Sequence, residues 1–106
     1  MFHVKPPSLQ YLDWVLVEDG LGGTTLEAMA EVPVARVPGV LAEWVSVLAW
    51  VRAISPGWAE GPLDDGGHWD HACLHTQTAD GWHTVTVSLT GEPQFMAGLV
   101  ERLVPP

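Results

Sequence analysis

The sequence predicts an α+β fold of ββα-ββα order: a four-stranded, mostly antiparallel sheet with two helices packed on one face. Three observations predict it. Residues 70–90 alternate about Asp80 and Gly81 as a β-hairpin does. Two segments carry apolar residues at helical spacing, and each opens on a proline, Pro38 or Pro93. The two halves of the chain repeat the same order of strand, glycine-containing turn, strand and helix, as a degenerate duplication would.

Pro6 and Pro7 punctuate a short N-terminal arm. Residues 9–18 are rich in β-branched and aromatic side chains and read as a strand, apolar on both faces apart from Asp13, hence interior to the sheet. Residues 19–23, with three glycines, form a turn; they lack the spacing and the trailing lysine of a phosphate-binding loop. Over 24–37 two readings compete. Leu26, Ala28, Ala30, Val32 and Val34 alternate with Thr25, Glu27, Met29 and Glu31, which is a strand pattern. Thr24 to Glu27 also fits a helical capping box. The strand is favoured, with Pro33 at an edge or a strand end.

Residues 38–54 form a helix with one broad apolar face of Val40, Leu41, Trp44, Val47, Leu48, Val51 and Ile54. Its back carries Ala42, Ala49, Trp50 and Ala53, a surface suited to a second copy of the chain. Ser55, Pro56 and Gly57 stop the helix, and residues 55–68 form a loop longer than most connections. In the hairpin, a two-residue type I′ turn sets Ala79 opposite Trp82, His75 opposite Thr86, Cys73 opposite Ser88 and His71 opposite Thr90. That register puts His71, Cys73 and His75 on an open polar face. Ala72, Leu74, Val85, Val87 and Leu89 then turn to the core, and His83 lies away from the triplet. Phe95, Met96, Leu99, Val100 and Leu103 give the second helix its packing stripe.

The 106 residues suffice for one domain, residues 1–106, with a single modest core. Four Lys and Arg against thirteen Asp and Glu leave a formal charge of −9. This disfavours direct nucleic-acid and anionic-membrane partners and accommodates a basic protein surface. The single cysteine excludes an intrachain disulfide. No apolar leader opens the chain, no apolar run approaches membrane-spanning length, and the expected location is the cytoplasm.

No motif identifies a reaction. His71, Cys73 and His75 project from one side of a strand and are the ligand types that zinc or another transition metal prefers. The outer pair stands about 13 Å apart along the strand, too far for easy sharing of one ion. A cysteine–histidine nucleophile lacks an oxyanion element or a third orienting group. Glu60, Asp64, Asp65 and Asp70 lack calcium-loop spacing and read as solvated acids. Of the six tryptophans, Trp14 and Trp44 are expected in the core; Trp50, Trp58, Trp69 and Trp82 are placed to form an interface. The leading expectation is a small non-enzymatic protein acting through protein–protein contacts, as a homodimer. Its alternatives are a small-ligand or metal-binding module on the hairpin face, and an acidic inhibitor of immunity type on a basic enzyme surface.

Overall fold

A computed structural model describes residues 5–18, 20 and 23–104. The chain forms strands β1 (Asp13–Glu18) and β2 (Thr24–Pro33), helix α1 (Val37–Ile54), strands β3 (Trp69–Ala79) and β4 (Trp82–Gly91), and helix α2 (Pro93–Leu103). The fold is α+β. The sheet runs β1-β2-β4-β3 with every neighbouring pair antiparallel, so β1 and β3 are its edges.

The competition over residues 24–33 resolves as strand. Leu26, Ala28, Ala30 and Val32 all face the core, where they meet Val85, Val87 and Leu89 of β4. Burying that alternating row outweighs the local helical preference. Pro33 ends the strand, and a single 3-10 turn, Val34–Arg36, leads into α1.

The first strand is shorter than its composition predicts, and it lies at the edge rather than inside the sheet. The shortening comes from Glu43 of α1. Its carboxylate accepts the backbone N–H groups of Gln10, Tyr11 and Leu12 at 2.5–3.2 Å. Those donors are turned to the helix, so pairing begins only at Asp13. Leu12 is buried there, and Leu9 and Tyr11 pack against the core.

On α1, Val37, Val40, Trp44, Val47, Leu48, Trp50 and Val51 are buried. Trp50, expected on the back of the helix, is therefore a core residue. It stands three residues beyond Val47 and four before Ile54, so it flanks the apolar arc instead of opposing it. By length and composition Val34–Ile54 could cross a membrane, contrary to the expectation that no run approaches that size. Here its apolar side covers the sheet, with Val40, Val47 and Val51 fully buried.

The hairpin differs from its predicted register. Gly81 has φ +75°, but Asp80 is not in the positive-φ region that a type I′ turn requires. Ala79 still pairs with Trp82, and the ladder then slips at Thr78, so that Gln77 pairs with His83 and His75 with Val85. A bulge adds the right-handed twist that the turn itself does not supply. One inserted residue exchanges the two faces of the rest of the strand. His71, Cys73 and His75 thus lie on the helix side with Val85, Val87 and Leu89, while Ala72 and Leu74 lie on the open side.

Candidate functional site

Two surfaces collect the chemistry-bearing residues: the open face of the sheet, and the helix side of β3 with the loop that crosses it.

On the open face the register aligns side chains in rows across the strands. One row runs Asp13, Met29, Thr86, Leu74; the next runs Val15, Glu27, Ser88, Ala72. Met29 is 59% exposed, Leu74 62% and Trp82 45%, and Val15 and Val17 are exposed beside them. Val15, Val17, Glu27, Ala28, Met29 and Thr86 line a shallow, mainly apolar depression of about 230 Å³. Asp13, Glu27, Glu31 and Asp70 point to this same side, and no strand contains a lysine or arginine. Glu31 accepts a hydrogen bond from the Thr84 hydroxyl at 3.5 Å.

On the helix side, Glu60 is the hub. Arg52 donates to both of its carboxylate oxygens, at 2.7 and 2.9 Å, and His71 Nε2 lies 2.9 Å from Oε2. The Arg52 hydrogen bonds, helped by His71, hold the Glu60 carboxyl down to about 2 against the opposing effect of partial burial. This pins the 55–68 loop to α1 and to β3. Backbone bonds finish the work: Gly61 N–H donates to Trp69 O at 2.8 Å, His68 N–H to Ala59 O at 2.6 Å and Glu92 N–H to His68 O at 2.9 Å. Ala59 N–H donates to His68 Nδ1 at 2.7 Å. The long loop is a tied plug, with Trp58 packed on Phe95 and His68 at ring distances of 5.5 and 5.4 Å.

The residues singled out in the sequence divide accordingly. His71 is occupied by Glu60 and flanked by the rings of Trp44 and Trp69. Cys73 is exposed, and partial burial of its thiol pushes its pKa up, which disfavours the thiolate a nucleophile or a zinc ligand needs. Among the described residues no three His, Cys, Asp or Glu side chains are grouped to hold one ion, so the His71, Cys73, His75 set does not assemble. His75 turns instead to His83, which the bulge has brought to its side of the hairpin; Nε2 of the first lies 2.8 Å from Nδ1 of the second. Of the four tryptophans expected at an interface, Trp50 and Trp69 are buried and Trp58 is partly buried, because each fills a gap around the helices and the loop. Trp82 alone of the four is exposed.

Comparison with family models, with curated proteins and with solved structures found no match.

Val15 and Val17, expected inside the sheet, are exposed on its edge strand, and Met29, which the alternation of β2 already turns outward, joins them. The signal was present at Met29, an apolar side chain among Thr25, Glu27 and Glu31 on the outward positions of β2.

Proposed function

We propose that this protein is a binding module whose open sheet face docks a partner protein carrying a basic surface. The makeup of that face supports the reading: exposed Val15, Val17, Met29, Leu74 and Trp82 set among Asp13, Glu27, Glu31 and Asp70, with no cation on any strand. Apolar side chains supply the area an interface buries, and the carboxylates select a partner with complementary charge. The formal charge of −9 speeds encounter with such a partner over a longer range. Masking a basic enzyme surface, as an inhibitor of immunity type does, is a role of this kind.

Self-association through the same face is the second reading, favoured by the exposed Met29–Leu74 row and by Trp82. The two readings differ in the sign of their salt dependence. A complex with a basic partner weakens as salt rises; a homodimer that sets these carboxylates against their own copies strengthens. Sedimentation at low and raised salt, followed by affinity capture from the source cells, separates them. The reading predicts a monomer at tens of micromolar. It also predicts a basic protein retained by the wild type and lost on Met29→Glu with Leu74→Glu and in raised salt. Retention that ignores both changes would overturn it. A dimer that raised salt tightens and Trp82→Glu dissolves would establish the second reading instead.

A further inference from the structure

Four of the five histidines are described, and two of them have structural work. His68 Nδ1 accepts the Ala59 N–H, and His71 Nε2 is held by Glu60. The other two meet each other on the exposed arm of the β3–β4 hairpin. His75 pairs with Val85 and His83 with Gln77, diagonal positions on one face. Their rings stand 4.9 Å apart at 47°, with His75 Nε2 and His83 Nδ1 separated by 2.8 Å.

We propose that His75 and His83 form a two-imidazole chelate for a borderline divalent cation of the zinc, cobalt, nickel and copper class. The geometry is the argument. Such an ion binds imidazole nitrogen at about 2.0–2.1 Å, so two nitrogens that share it at an angle between right and tetrahedral stand about 2.9–3.4 Å apart. The observed separation lies just inside that bite, and small ring rotations at the hairpin surface open it. A hydrogen bond between two neutral imidazoles in contact with water contributes little by itself, so replacing it with a cation costs little. In the neutral pair one of the facing nitrogens carries a proton. On binding, that proton leaves for solvent and the other nitrogen of the same ring takes one up, so both rings stay neutral and both facing lone pairs reach the ion. Among the described residues no third donor joins the pair, so water completes the coordination. The ion would staple β3 to β4 beside the bulge, on the opposite side of the sheet from the open face.

The test is a titration of zinc chloride into the chain carrying His3→Ala, which removes an imidazole outside the described residues. Calorimetry should show one zinc per chain at micromolar affinity, and the melting temperature should rise with zinc. His75→Ala and His83→Ala should each weaken binding by at least about tenfold. The imidazole ¹⁵N resonances of His75 and His83 in the unsubstituted pair should move together on zinc addition, a readout that needs no variant to fold. No binding at millimolar zinc, binding that survives the double substitution, or loss confined to one of the two single variants would overturn the chelate.

Discussion

Single side chains hold the parts of this molecule that strand and helix patterns leave open. Glu43 gathers three backbone donors of the arm, and Glu60 joins α1, the long loop and β3. The second has a pH signature. The folded carboxyl of Glu60 titrates at about 2, below its ordinary 4.5. Its contribution is present above the ordinary value and is lost as pH falls toward the folded one. Glu60→Gln should therefore lower the melting temperature by a few degrees near neutral pH. The gap between variant and wild type should close as pH falls from about 4.5 to about 2. A gap that stays constant across that range would show that the Glu60 charge is not what holds the loop.

At the scale of elements, the sequence was most legible where periodicity was long. The α1 and α2 boundaries, the β2 alternation and the hairpin at Asp80 and Gly81 all follow from local pattern. The rest is set by contacts that local pattern does not encode. The carboxylate of Glu43 shortens β1 from outside, across more than thirty residues of chain. One bulged residue at Thr78 reverses the faces of β3, which moves His71, Cys73 and His75 to the helix side and brings His75 to His83, a pair the regular register separates. Trp50 lies in the core because the apolar arc of α1 is wider than its most regular rows. The turn itself allows a direct check. Gly81 has φ +75° with open space where a Cβ would stand, so Gly81→Val incurs backbone strain alone, about 1–2 kcal/mol. Urea denaturation should show that loss with an unchanged slope; a midpoint equal to the wild type would place the turn elsewhere.

For the whole molecule, the two helices cover one side of the sheet and leave the other bare. On that open side the strands set exposed apolar side chains and carboxylates around the Thr84, Thr86, Ser88 and Thr90 row of β4, with no lysine or arginine in any strand. Two other groups of acids are set differently: Glu60 is neutralised by Arg52, and Asp64 and Asp65 sit on an exposed 3-10 turn. A cationic ligand that only follows net charge would touch both places. The most direct measurement is an amide chemical-shift titration of the ¹⁵N-labelled protein with a lysine-rich amphipathic peptide at low salt. Docking on the open face should give shifts centred on Val15, Glu27, Met29, Leu74, Trp82 and Thr86, reduced by raised salt and abolished in the Met29→Glu, Leu74→Glu variant. Shifts centred on residues 60–65 or on the outer face of α1, and unchanged in that variant, would contradict it.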